Sequence, residues 1–122
     1  WELSGNKNFD KIINKYMKKK EISFLIFDLN NKNSFDNIYY WIKKIKENND
    51  SEIFLIGNKS DLGKHIKNED IEKITTLYNL KYIEISLKDS INIDKLNNEI
   101  KNIVIKKKKY SNKNRNYCNC FF

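Results

Sequence analysis

Apolar residues recur along this chain in two rhythms, short continuous runs and spacings of three or four, and their alternation predicts strands followed by helices. Over residues 7–20, Phe9, Ile12, Ile13, Tyr16 and Met17 fall at helical spacing, and Lys18-Lys19-Lys20 supplies cations that suit a helix carboxyl end. Residues 22–29 form a nearly uninterrupted apolar strand with Asp28 close to its end. Residues 34–48 return to helical period, with Phe35, Ile38, Tyr39, Trp41, Ile42 and Ile45 on the apolar face and Ser34 as the N-cap candidate. A second strand spans 53–57. A shorter helix covers 68–80, capped by Asn68 and burying Ile71, Ile74, Leu77 and Tyr78. A third strand takes 81–86, and a last helix runs from 91 to about 107, carrying Ile93, Leu96, Ile100, Ile103 and Val104. Strands separated by helices of this length imply right-handed βαβ crossovers and a parallel sheet. Strands this apolar need cover on both faces, so the fold class is α/β.

A length of 122 residues with 39% hydrophobic content allows one domain with a modest core. With no Pro and three Gly, Asn-rich stretches such as Asn30-Asn31-Lys32-Asn33 and Asn48-Asn49-Asp50 mark the loops. The abundance of Asn and Lys reads as compositional bias rather than chemistry. No apolar run reaches bilayer-spanning length and no signal-peptide pattern opens the sequence, so a cytosolic or cytosol-facing location is expected.

Charge redraws the picture at one end. No acidic residue follows Glu99, while Lys106, Lys107, Lys108, Lys109, Lys113 and Arg115 do; without those six the net charge of +8 drops to about +2. On this basis the chain divides into a body, residues 1–105, and a basic tail, residues 106–122. Such a distribution argues against nucleic acid as a partner. A nucleic-acid-binding body spreads cations over a folded face and interleaves aromatics, whereas here Tyr110 and Tyr117 are the only aromatics interleaved with the basic stretch.

For chemistry the most informative stretch is Asn58-Lys59-Ser60-Asp61, directly after the run Ile53-Phe54-Leu55-Ile56-Gly57. It offers an amide, an ammonium and a carboxylate at the carboxyl end of a buried strand, where open α/β sheets bind ligands. A carboxylate there accepts two hydrogen bonds from a ligand with adjacent N–H donors, as on the N1 and N2 edge of guanine. The stem of Lys59 can lie along a flat ring while its ammonium stays in water. This stretch resembles the Asn-Lys-x-Asp guanine-specificity loop of the small GTPases. Three further stretches agree with that family in order. Trp1-Glu2-Leu3-Ser4-Gly5-Asn6-Lys7 aligns with the Rab switch II stretch Trp-Asp-Thr-Ala-Gly-Gln-Glu. Phe27-Asp28-Leu29-Asn30, then Lys32-Asn33-Ser34-Phe35 and Trp41, resembles the Tyr-Asp-x-Thr…Ser-Phe…Trp region. Glu84-Ile85-Ser86-Leu87-Lys88 resembles the Glu-Thr-Ser-Ala-Lys loop. Across nearly the whole chain the resemblance is to the Rab family of Ras-superfamily small GTPases.

The resemblance implies the carboxyl-terminal portion of a P-loop NTPase fold of the small-GTPase type, with three parallel strands alternating with helices. It implies GTP or GDP with Mg²⁺ as cofactors, and GTP hydrolysis as the reaction of a membrane-trafficking switch. Asn58, Lys59, Asp61, Ser86, Leu87 and Lys88 would hold guanine. In that scheme Asp61 anchors the base, Asn58 braces the phosphate loop and touches N7, and Leu87 reaches O6 through its backbone N–H. Ser86 braces the loop, and Lys88 covers the ribose and base face. Glu2 and Gly5 fall beside the phosphates and magnesium, with no direct metal ligand among them, and Asn6 falls where a Gln orients the attacking water. Glu2 is longer than the family's Asp and Asn6 shorter than its Gln. Positioning is most of phosphoryl-transfer catalysis, so slow intrinsic hydrolysis is expected. No G-x-x-x-x-G-K-[ST] phosphate loop and no switch I threonine segment occurs in these 122 residues. The expectation is an amino-terminally truncated member whose strand over 22–29 presents a bare edge, unstable and inactive alone.

Cys118-Asn119-Cys120-Phe121-Phe122 resembles the Rab double-prenylation site, with two departures. A C-a-a-X box needs its Cys where Asn119 stands, and Phe121-Phe122 follow the last Cys. A disulfide between residues this close is strained, and two Cys do not complete a zinc site. Prenyl groups on Cys118 and Cys120, with the adjacent cations, would anchor the chain to the cytoplasmic face of an endomembrane beside a cytosolic pool. One lipid alone binds only marginally. The family implies exchange factors, GTPase-activating proteins and effectors as partners. A reading of another class stands beside it: a non-catalytic, membrane-tethered interaction module, favoured by the missing phosphate loop, Glu2 and Asn6. His65 stands alone in a polar segment and receives no role. Tyr39, Tyr40 and Trp41 read as helix packing.

Overall fold

The computed structural model describes residues 10–17, 22–48 and 50–109. Its elements run α1 (Asp10–Met17), β1 (Ile22–Asp28), α2 (Lys32–Asp36), α3 (Ile38–Asn48), β2 (Glu52–Asn58), α4 (Asn68–Tyr78), β3 (Lys81–Glu84) and α5 (Ile93–Lys109), with one 3-10 turn at Ser60–Leu62. The three strands form a parallel sheet in the order β1-β2-β3.

Side chains alternate across a strand, so each apolar run feeds two cores. On one face Leu25 and Phe27 of β1 and Ile53 and Leu55 of β2 pack with Phe35, Ile38, Trp41, Ile42, Ile45, Ile71 and Ile74 from α2, α3 and α4. On the other, Ile22, Phe24, Phe54, Ile56, Ile83 and Ile85 pack with Ile103 of α5. Each such Ile or Leu, once fully buried, contributes about 1.5–3 kcal/mol. Cover on both faces is what the composition of the runs requires, and the sheet is the parallel α/β arrangement expected from the sequence.

Several local expectations change. The single helix expected over 34–48 is two, and Asn31 rather than Ser34 caps the first. Asn31 has extended backbone, and its Oδ1 accepts from Ser34 N–H at 3.1 Å, while Ser34 Oγ accepts from Asp28 N–H at 3.0 Å. The helices meet at Asn37, whose backbone stays near helical values (φ −73°, ψ −12°), and Trp41 N–H still donates to Asn37 O at 3.2 Å. The apolar period therefore survives the break. Asn68 does not cap α4 either; Lys67 holds that position without a side-chain bond, and Asn68 Oδ1 accepts from the Lys64 ammonium. Leu77 is 69% exposed rather than inside, because Ile71 and Ile74 already fill the buried stripe of α4. Tyr39 is 43% exposed rather than part of the buried face. The strand expected over 22–29 stops at Asp28, that over 81–86 stops at Glu84, and the last helix begins at Ile93. α1 is the described part of the helix expected over 7–20, and among the described residues β1 pairs with β2 alone.

Candidate functional site

Parallel pairing puts the carboxyl ends of the strands on one edge of the sheet. Asp28 lies opposite Asn58, and Gly57 opposite Glu84. Beyond the ladders, Leu29 N–H donates to Asn58 O at 3.0 Å, Ile85 N–H to Gly57 O at 2.8 Å and Ser60 N–H to Ile85 O at 3.1 Å. The loops that leave the three strands are thus stitched together where open α/β sheets bind ligands.

Asp61 sits in the 3-10 turn with a side chain only 6% exposed. Its Oδ1 accepts from Ser86 Oγ at 2.6 Å, and its Oδ2 lies 3.8 Å from Lys88 Nζ. The Ser86 hydroxyl, against the opposing effect of burial, holds the Asp61 carboxyl below the usual range, with help from a backbone N–H and the charges of Lys88 and Lys59. Asp61 is therefore an ionised acceptor. One oxygen is braced by Ser86, and capacity remains for a pair of N–H donors. Ser86 is wholly buried, and its Oγ also accepts from Asp89 N–H at 3.1 Å. An antiparallel bridge between Ser86 and Ile91 closes the loop, with N–H to O distances of 3.2 and 3.0 Å.

Asn58 reaches the same loop, where its Oδ1 accepts from Leu87 N–H at 3.2 Å. The backbone N–H expected to face a ligand is thus committed to Asn58, and a base accepting from it must share it. Leu87 itself is exposed, as is Lys88. The structure therefore brings Asn58, Asp61, Ser86, Leu87 and Lys88 into one cluster.

Lys59 joins from an unexpected direction. Its backbone is left-handed (φ 65°, ψ 37°), and its ammonium lies 2.7 Å from Asp28 Oδ2. Burial pushes the Asp28 carboxyl up, but hydrogen bonds from Lys59 and from Asn30 N–H, with the charge of Lys59, outweigh it and hold the group below its usual range. Asn30 Nδ2 donates to both Lys59 O and Gly63 O, each at 3.2 Å. Asp28 and Asn30 received no role from the sequence. The available signal was an acid closing an apolar strand, readable only with the register that sets Asp28 against Asn58.

Beneath this edge Gly57 allows a close approach. A Cβ there would lie 2.8 Å from Tyr82 Oη and 2.9 Å from Leu29 Cδ2. Tyr82 Oη donates to Glu84 Oε1 at 2.8 Å, and that carboxylate also receives the Lys64 ammonium. Burial first, then the hydrogen bond and charge of Glu84, push the Tyr82 hydroxyl far above its ordinary value, so it stays a donor. Glu2, Gly5, Asn6, Cys118 and Cys120 lie outside the described residues.

The family model described as the Ras family matches residues 1–106. Ras-related protein Rab-26 of Rattus norvegicus is 35% identical over 98 residues, which span 77% of this chain and 38% of that protein. Ras-related protein Rab-37 of Homo sapiens is 33% identical, covering 77% of this chain and 44% of that protein. Ras-related protein Rab-8B of Bos taurus is 33% identical, with 77% and 47% covered. The chain spans less than half the length of these curated relatives.

Proposed function

This chain belongs to the Ras family, and on that premise we propose that it carries the guanine-recognition half of a Rab-like small GTPase that binds GTP and GDP, hydrolyses GTP and acts as a membrane-trafficking switch. The observation that carries the reading is the ionised, Ser86-braced Asp61 carboxylate at the carboxyl edge of a parallel sheet. Asp61 accepts from guanine N1–H and N2–H, a pattern that adenine lacks. Asn58 Nδ2 donates toward N7, the stem of Lys59 flanks the ring, and Lys88 covers the opposite side. Ser86 and Leu87 hold the loop, the second through the N–H that it shares with Asn58. Among the described residues no group of three or more His, Cys, Asp or Glu side chains is placed to hold a metal ion. In this proposal Glu2, Gly5 and Asn6 stand next to the phosphates and Mg²⁺. The metal would neutralise charge on the phosphates, and Asn6 orients water poorly enough to keep hydrolysis slow.

No helix among the described residues is long and apolar enough to cross a membrane. Attachment to an endomembrane is assigned to prenyl groups on Cys118 and Cys120 with the basic tail, in exchange with a soluble pool. Exchange factors, GTPase-activating proteins and effectors complete the cycle.

Fluorescent-nucleotide titration of the protein expressed from its complete coding sequence tests the reading. GDP and GTP should bind, and ADP should not. In Asp61→Asn the loss of charge-assisted bonds should cost about 3 kcal/mol, or roughly 100-fold in GDP affinity. Xanthosine diphosphate, which presents an acceptor at C2, should gain. Equal binding of GDP and ADP, or no nucleotide binding at all, defeats the proposal; the latter leaves the membrane-tethered module.

A further inference from the structure

A lysine adopts left-handed backbone only where its surroundings hold it there, and Lys59 is such a residue. Part of the hold is local, since Leu62 N–H donates to Lys59 O at 3.1 Å. The rest comes from the turn after β1. There a single nitrogen, Asn30 Nδ2, donates to Lys59 O and to Gly63 O, the two ends of the turn that carries Asp61. Gly63 also has positive φ (88°), which a glycine adopts without strain, so the end of the turn that needs holding is Lys59. Asn30 is in turn fixed by Asp28, whose Oδ1 accepts Asn30 N–H at 2.9 Å while Oδ2 takes the Lys59 ammonium.

We propose that Asn30 is a positioning residue for base recognition: its amide clamps the 59–63 turn at both ends and thereby sets the Asp61 carboxylate, with Asp28 as the backing of the clamp. The inference rests on the guanine reading above and adds to it a residue that touches no ligand. The chemistry of the side chain explains the choice. A primary amide carries two N–H groups on one nitrogen and spans two carbonyls. A threonine hydroxyl has one donor, and an aspartate has none and repels both oxygens. Because Asn30 acts through the turn, its loss moves the part of the affinity that depends on Asp61 and leaves contacts to phosphate unchanged.

The test compares wild type with Asn30→Ala, Asn30→Thr and Asn30→Asp in the protein expressed from its complete coding sequence. Affinities are measured for GDP and for inosine diphosphate, which lacks the 2-amino group facing Asp61, beside hydrogen exchange at the Leu62 amide. Loss of the clamp is worth about one net hydrogen bond, so GDP should bind roughly tenfold more weakly in Asn30→Ala and inosine diphosphate less so. The GDP preference should narrow in the order Thr, Ala, Asp, and Leu62 exchange should quicken in the same order. A GDP preference and a Leu62 exchange rate that stay at wild-type values in Asn30→Ala overturn the proposal. If that variant does not fold, Asn30→Thr decides by the same two readings. Failure of the wild-type protein to bind GDP sinks the guanine reading instead. The clamp is then judged by Leu62 exchange alone, which supports it if faster in the variants and refutes it if unchanged.

Discussion

Replacing Gly57 by Ala tests how tightly the floor of the site is packed. The new methyl would stand 2.8 Å from Tyr82 Oη, 2.9 Å from Leu29 Cδ2 and 3.1 Å from Leu29 Cγ. Favourable carbon contacts begin near 3.5 Å, so each of the two neighbours, or the methyl itself, must yield by roughly 0.6–0.7 Å. Leu29 has little room to do so. It is completely buried, and its carbonyl receives His65 N–H at 3.1 Å and Ile66 N–H at 3.3 Å. Tyr82 is only partly buried and can swing, at the expense of its bond to Glu84. Overpacking of this kind costs about 1–3 kcal/mol. The alanine returns about 0.4–1 kcal/mol by narrowing the unfolded ensemble, leaving a net loss of about 1–2 kcal/mol. Tyr82→Phe removes the shortest contact, so in that background the cost of Gly57→Ala should shrink by about 1 kcal/mol. Urea unfolding of wild type, both single variants and the double variant, each expressed from the complete coding sequence, measures the coupling. Stability of Gly57→Ala within about 0.3 kcal/mol of wild type refutes the packing argument. An equal cost in both backgrounds removes Tyr82 from it.

Two further outcomes concern the loop above. Ser86→Ala strands a buried carboxylate oxygen and the Asp89 N–H, a loss of about 1–3 kcal/mol, and should weaken GDP binding at least tenfold by calorimetry. Unchanged affinity would show that Asp61 needs no brace. Asp61 and Asp28 are both held below the ordinary aspartate value. Their contribution is therefore complete above the unfolded value of about 4 and disappears as pH falls through the lower folded values. GDP affinity should be flat from about pH 8 to pH 5 and fall only below about pH 4; a midpoint above that value contradicts the ionised, paired state of these groups.

Legibility followed the range of the interactions involved. The strands could be read because runs such as 22–28 and 53–57 leave no alternative to a twice-covered sheet, as the two clusters around Leu55 and Phe54 show. Caps were less readable. Asn31, Asn33 and Ser34 all have side chains able to cap, and only backbone geometry selects Asn31. The break at Asn37 left no trace because its near-helical backbone keeps the apolar spacing in phase. Leu77 fits the helical period of α4, yet the stripe that the sheet can cover ends with Ile71 and Ile74. In the site, the meeting of Asp61 and Ser86 across 25 positions was anticipated through resemblance, not from spacing. The bonds of Asp28 and Asn30 to the Lys59 turn were not anticipated, because they depend on strand register and on a left-handed backbone that no local pattern announces.

The backbone of Lys59 has a consequence for how this sequence can drift. At φ 65° glycine or asparagine is the more comfortable residue, and asparagine is one nucleotide change from lysine. A lineage in which only backbone comfort mattered would cross that step readily, and the chain already uses asparagine at its other loops, such as Asn30-Asn31 and Asn48-Asn49. What opposes the step is the long lysine side chain: its ammonium pairs with Asp28, and in the guanine reading its stem would flank the bound ring, and asparagine supplies neither. If the guanine reading holds, position 59 sets backbone comfort and recognition against each other at a single codon, and the residue found there across descendants of this gene would report which of the two selection has been protecting.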